Sequence, residues 1–410
     1  MGNLDGFSSV TQTALGCTSS EAYRALGPLT LYTLDVFSGE RSLPSYIQLL
    51  KWHTRHRERR QGHMALAEQT AALAPPPPTA SVVRVASHAR TWYCEDGAKL
   101  AEMLEKKLEA AKKCMQGDVR ALICPHAGYM YCADTAAWAW RQLDPSRVGR
   151  VFVLGPSHHA YFPNCALPDS SLYAYATPFG KISLDIAVID RLRKERVFEG
   201  LTVGEDEAEH SIELQLPVLH YIMGKHPFTL VPIVVGDLRP VDCAAFGELL
   251  LPYFLDPETL FIFSSDFCHW GSRFKYTYLP PAPPDTPIYK RIEMLDKEGA
   301  SYIEKHDAAG FQAYFVRTGN TICGHNPILI LLSLLEATGK PQEYCTRLLS
   351  YSQSSAVVDP TASSVSYAAF AVTRCSPEAA AATAAAGTAA GTAAAADEEE
   401  EEADSEASNR

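Results

Sequence analysis

Between residues 119 and 373, short, largely apolar runs alternate with longer runs of helical period. Segments 119–124, 150–154, 228–235 and 259–264 are β-rich and apolar on both prospective faces, as strands are when helices cover both sides of a sheet. Segments 133–143, 186–196, 207–223 and 243–254 carry apolar residues at helical spacing, 288–305 and 327–337 continue that pattern, and 366–373 reads as a closing strand. A strand that is apolar on both faces cannot leave one face in water. The alternation therefore predicts an α/β chain folded as a three-layer α/β/α sandwich with a largely parallel or mixed central sheet.

The flanks differ from this middle region. Residues 1–80 hold short apolar stretches, a basic patch at 53–60 and a four-proline run at 75–78, which can continue neither a helix nor a strand ladder and reads as a stiff linker. Residues 376–410 are Ala/Thr/Gly repeats closing in an acidic block, with nothing large to bury, so disorder is expected. The folded domain is expected over 81–375.

Formal net charge is −12, of which the stretch 397–410 contributes −7. The body is thus mildly acidic with no basic stripe, which argues against a nucleic-acid partner. No run reaches the roughly 18 apolar residues that a membrane span needs, and the N-terminus lacks the basic-then-apolar pattern of a secretory signal. Eleven cysteines without a repeating framework fit free thiols in a reducing compartment, so a cytoplasmic location is expected. There is no phosphate-cradling GK[ST] loop, no G-x-G-x-x-G after a strand, no H-E-x-x-H and no G-x-S-x-G elbow, which sets aside nucleotide binding, zincin proteolysis and the serine-hydrolase elbow.

Three of the predicted strands run directly into residues able to bind a metal or move a proton. Segment 119–124 leads to Pro125-His126-Ala127-Gly128-Tyr129, segment 150–154 to Gly155-Pro156-Ser157-His158-His159, and segment 259–264 to Ser265-Asp266-Phe267-Cys268-His269. Ligand crevices in open α/β sheets form outside the carboxyl ends of strands, so these residues are expected to converge. Neighbouring residues of an extended segment point oppositely. One of His158 and His159, and one of Cys268 and His269, should face the crevice, and spacing alone leaves both choices open. A fourth segment, Glu205 to Pro217, begins acidic as a helix N-terminus favours. On one continuous helix, His210 would lie within a turn of Asp206, Glu207 and Glu213, a setting suited to a general base or a metal ligand, with a solvated surface histidine as the plain alternative. Trp92, Tyr129 and Tyr131 can wall an opening or pack in the core, and His325 begins a helix with Pro327 near its first turn.

Six ordered motifs closely resemble the Memo family: Ala86-Ser87-His88 with Thr91-Trp92-Tyr93, Pro125 to Tyr129, Leu154 to His159, Glu209 to Glu213, Ser264 to Gly271, and Thr321-Ile322-Cys323-Gly324. The resemblance runs from about residue 84 to 373. It implies a fold similar to LigB-type extradiol dioxygenases, with a metal held by His126, His158 and Cys268 and with His210 as the position similar to a catalytic base. It selects His158 over His159 and Cys268 over His269. A cysteine standing where the dioxygenases place a carboxylate supplies a soft ligand, which favours copper(I), zinc or iron–sulfur chemistry over a hard-ligand Fe(II) centre and argues against ring cleavage. The resemblance further implies signalling to the cytoskeleton and cell motility through a phosphotyrosine peptide or signalling protein.

Three functional readings follow. The first is a redox-type pocket binding iron or copper, with zinc as a further option, in a metal-dependent oxidoreductase. The second is a non-enzymatic adaptor that takes a (phospho)peptide in the old cleft. The third is an aromatic ring-cleaving dioxygenase with His210 as base.

Overall fold

The computed structural model describes residues 80–375, all of which fall in one compact unit. The expectations for the proline run, the basic patch and the acidic tail lie outside the described residues. The strands are β1 (Val82–Arg84), β2 (Asp118–Cys124), β3 (Arg150–Pro156), β4 (Cys165–Leu167), β5 (Leu172–Thr177), β6 (Gly180–Ser183), β7 (Phe198–Gly200), β8 (Thr229–Val235), β9 (Thr259–Ser264), β10 (His269–Trp270), β11 (Tyr344–Gln353) and β12 (Ser364–Arg374). The helices are α1 (Gly97–Ala110), α2 (Tyr129–Trp140), α3 (Ile186–Arg193), α4 (Val203–Ala208), α5 (His210–Glu213), α6 (Leu216–Met223), α7 (Pro240–Leu255), α8 (Ile288–Glu304), α9 (Ala308–Thr318) and α10 (His325–Ala337).

The main sheet runs β10-β12-β2-β9-β3-β8-β4-β7, with β11 paired to β12. Its centre, β2-β9-β3-β8, is parallel throughout. The flanks are mixed, because β12 joins β2 antiparallel and β4 joins β8 antiparallel. Val151 to Pro156 and all of β9 are buried residue after residue. Successive side chains point to opposite faces, so both faces are covered and the sandwich has three layers. Helix α2 packs on β2, β11 and β12, while α7 and α10 pack on each other and on β9. Phe152 and Phe261 stack between neighbouring strands with ring centroids 4.6 Å apart. Among the described residues no helix is long and apolar enough to cross a membrane.

Two features depart from the sequence expectation. The closing strand is longer than expected and lies inside the sheet: β12 pairs with β11 over Ser366–Arg374, with β2 over Phe370–Arg374 and with β10 at Ser364 and Val365. The helical segment expected over 207–223 is three short helices. Arg84, fully buried, accounts for the first break. Its guanidinium donates to the backbone oxygens of Asp206 and Glu209 at 2.7 and 2.9 Å. Those oxygens would otherwise accept from residues 210 and 213 in a continuous helix. Glu209 takes an extended conformation at the break, and its side chain caps α5 by accepting from the Ser211 N–H, as N-cap side chains do.

Candidate metal centre

Strands β2 and β3 flank β9 in the parallel centre, so their carboxyl ends discharge side by side. His126 lies two residues beyond β2 and His158 two beyond β3. Helix α5 brings His210 to the same point. Among the described residues, His126, His158 and His210 form the group whose ligand atoms all lie within 4.8 Å of one another. Ring centroids are 4.3 Å apart for His158 and His210, 5.2 Å for His126 and His158, and 5.3 Å for His126 and His210.

Two of the three rings have their tautomers set by the bonds behind them. The Ser264 hydroxyl donates to the Ser211 carbonyl at 2.7 Å and accepts from the Gln215 amide at 2.8 Å. With its proton so committed, it accepts from His126 Nδ1–H, 2.8 Å away. His158 Nδ1–H donates to Glu209 Oε1 at 2.9 Å, and the other carboxylate oxygen accepts the His158 backbone N–H at 2.6 Å. In both rings Nε2 is left as an unprotonated lone pair, the form that binds a metal, oriented by its outer partner. Burial would raise the Glu209 carboxyl, but its bonds to His158 and Ser211 hold it down at about 2. Burial, reinforced by His158, lowers His210 to about 4, and burial among neighbouring imidazoles holds His126 well below the ordinary value. His126 and His210 are therefore neutral near pH 7, as ligation requires.

Cys268 does not join this group. Its backbone N–H donates to Asp296 and its carbonyl accepts from Ser366 in β12, which fixes the chain between β12 and α8. Its thiol is buried beside Asp296 and Thr321. The cysteine beside the cluster is Cys323, whose Sγ lies 3.2 Å from His126 Nε2. Because that nitrogen is the lone-pair side, the thiol donates to it. Gly324 makes this approach possible: a Cβ there would collide with Ser265 and the Ser264 carbonyl. The expectation that Cys268 accompanies the histidines is corrected accordingly. The signal for Cys323 was present in Thr321-Ile322-Cys323-Gly324, but it lies on no strand end and only the fold brings it across.

Other expectations place as follows. His159 is exposed, with its ring 6.1 Å from that of His210. The carboxylate near His210 is Glu209, with Oε1 3.5 Å from Nδ1. Asp206 and Glu213 instead pair with Arg84 at 2.7 and 2.6 Å, and Glu213 also holds His88 Nδ1 at 2.9 Å. Trp92 walls the site, its indole lying 4.6 Å from the His210 ring at a tilt of 31°. Asp266 accepts the His126 backbone N–H at 2.8 Å, and burial pushes its carboxyl up to about 7.

Residues 84–371 match the family model described as Memo-like protein. The chain belongs to the Memo family. The Memo relatives include Protein MEMO1 of Homo sapiens, 43% identical over 295 residues, covering 71% of this chain and 98% of that protein. Protein memo-1 homolog of Caenorhabditis elegans is 43% identical over 293 residues, covering 70% of this chain and 81% of that protein. The Memo match spans every residue of the histidine cluster and Cys323. The three-histidine group of this Memo chain is spaced so that it could hold a metal ion.

Proposed function

We propose that this Memo-family chain holds a redox-active transition metal, iron or copper, on His126, His158 and His210, with Cys323 at the fourth position. One observation carries the reading: three imidazoles converge within ligand distance, and the bonds behind His126 and His158 turn their unprotonated nitrogens inward. The donor set fits such an ion. Imidazole suits copper, iron and zinc, and an adjoining thiol favours the softer copper(I) or zinc. No carboxylate of the described residues belongs to the group, which weighs against a two-histidine, one-carboxylate ring-cleaving centre. A bound ion would supply a one-electron couple and a position for substrate.

The chain's own residues do the rest. Ser264 and Glu209 fix the rings, Trp92 shields one side of His210, and the Cys323 proton, shared with His126 Nε2, is the one released when a cation enters. His210, expected as a base, is read here as a ligand.

Elemental analysis of the full chain, prepared without oxygen and without a histidine tag, tests this. Near-stoichiometric iron or copper is expected, lost in His126→Ala, weakened about 10- to 100-fold in Glu209→Gln by loss of the outer partner, weakened in Cys323→Ser and retained in Cys268→Ser. Zinc alone would point to hydrolytic or structural chemistry. Protein that resists loading with all three histidines intact would sink the proposal.

A second reading, an adaptor acting in signalling to the cytoskeleton and cell motility, is favoured by the exposed Met130, Tyr131 and Tyr161. They stand within five residues of His126 or His158, and exposed apolar groups beside a cleft suit a peptide partner. A partner captured by the full chain and lost in Met130→Glu with Tyr131→Ala would support it, and capture unaffected by those changes would refute it.

A further inference from the structure

A second feature opens beside the histidine cluster. Strands β3 and β8 end in register, Pro156 opposite Val235, and the loops leaving them enclose a cavity of about 180 Å³. Its walls include Ser157, Tyr161, Phe162, Asp237, His325 and Cys323. Cys323 is thus shared with the cluster, 3.2 Å from His126. An apolar cavity of about 150 Å³ holds benzene, so this one admits a ring-sized molecule.

The polar groups on its walls are largely committed. The Ser157 hydroxyl donates to the Ala160 carbonyl at 2.6 Å and the Asn326 amide to the Gly236 carbonyl at 3.0 Å. The His325 ring is stacked on Phe315 at 4.1 Å and 12°. Asp237 differs. Its side chain accepts from the Tyr161 hydroxyl at a long 3.4 Å and lies within electrostatic reach of His325, which burial keeps low at about 4 and so uncharged near pH 7, and no lysine or arginine lines the cavity. Arg239, two residues beyond Asp237, is already paired with Asp242 at 2.6 Å. A ligand anion would therefore meet a carboxylate with no opposing charge, whereas an ammonium would gain a charge-assisted hydrogen bond to Asp237 and the aromatic faces of Tyr161 and Phe162.

We propose that this cavity binds a small organic cation, a primary or secondary ammonium on a ring-sized body, with Asp237 as its counter-ion and its far end toward Cys323. The proposal deepens the metal-site reading because Cys323 walls both spaces, yet ammonium binding requires no metal.

The test is calorimetric and ligand-observed NMR titration of the full chain, stripped of metal by chelator, with benzylammonium, benzyl alcohol, benzoate and phenyl phosphate. Benzylammonium is expected to bind about tenfold or more tighter than benzyl alcohol, with both anions weaker still. Asp237→Asn should abolish that preference with an unchanged thermal midpoint, since Asp237 is exposed, and Tyr161→Ala should weaken binding by a smaller factor. His126→Ala should retain benzylammonium binding, so loss of metal in that variant and loss of amine in Asp237→Asn report separately. Binding unchanged by Asp237→Asn, no binding of any probe, or preference for an anion would overturn the proposal. Preference for phenyl phosphate would in addition favour the phosphopeptide reading.

Discussion

At the scale of single residues, position along the chain is a poor guide to which carboxylate serves which histidine. Glu213 sits three residues from His210, yet it accepts from His88 Nδ1, the Tyr93 hydroxyl and Arg84. Burial would raise its carboxyl, but those partners hold it at about 2. The sign of the consequence follows from linkage. A carboxyl lowered from about 4.5 contributes stability that is present above that pH and is lost as pH falls from about 4.5 to about 2. The Glu213→Gln variant should show a flatter acid limb, missing roughly 3 kcal/mol of pH-dependent stability. Denaturant midpoints measured between pH 5 and pH 2 check this, and an acid limb identical to that of the parent would contradict it.

At the scale of elements, the break between α4 and α5 is what makes the site. A continuous helix would leave no turn at Glu209 and would carry His210 past the sheet edge on the helix face. Arg84 prevents this by binding the Asp206 and Glu209 carbonyls and the Asp206 and Glu213 carboxylates at once. Removing one member of a buried ionic network strands the others without compensation, at about 3–5 kcal/mol. Arg84→Met is therefore expected to lower unfolding free energy by that amount, measured by chemical denaturation. It should also disturb the Nε2 resonances of His158 and His210 in histidine-labelled protein. Arg84→Lys, which keeps charge but loses the fork, should fall between the two. A stable Arg84→Met protein with unchanged histidine resonances would remove Arg84 from this role. Gly155 works to the same end, since a Cβ there would strike Ser211 in α5.

At the scale of the molecule, the parallel centre β2-β9-β3-β8 forms a rigid base for loops that carry the chemistry. Its strands are buried on both faces, whereas β7 at one edge keeps Glu199 and Gly200 exposed. Amide exchange is expected to be slowest in β2, β9 and β3 and much faster in β7, following the burial and pairing of each strand. Uniform protection across the sheet would show that the edge is held as firmly as the centre. Truncating the fully buried Leu122 to Ala should cost about 2–5 kcal/mol, seen as a shift in denaturation midpoint at unchanged slope.

Much of this was legible in the amino-acid order. Short runs that are apolar on both prospective faces announce strands covered on both sides, because hydrophobic periodicity is a local property that needs no partner to be read. The same locality placed His126 and His158 just beyond strand ends, where parallel sheets bring such residues together. What the sequence could not show is everything that depends on distant segments meeting. Nothing near residue 205 reveals that Arg84, more than a hundred residues earlier, interrupts a helical pattern there. Nothing near Cys268 reveals that Asp296 and Thr321 claim its surroundings while Cys323, on the loop before α10, reaches His126. Side-chain direction at the end of a strand follows from alternation only while the strand stays regular. Beyond β9 the chain is held by β12 and α8, and that tertiary packing decided which thiol stands beside the histidines.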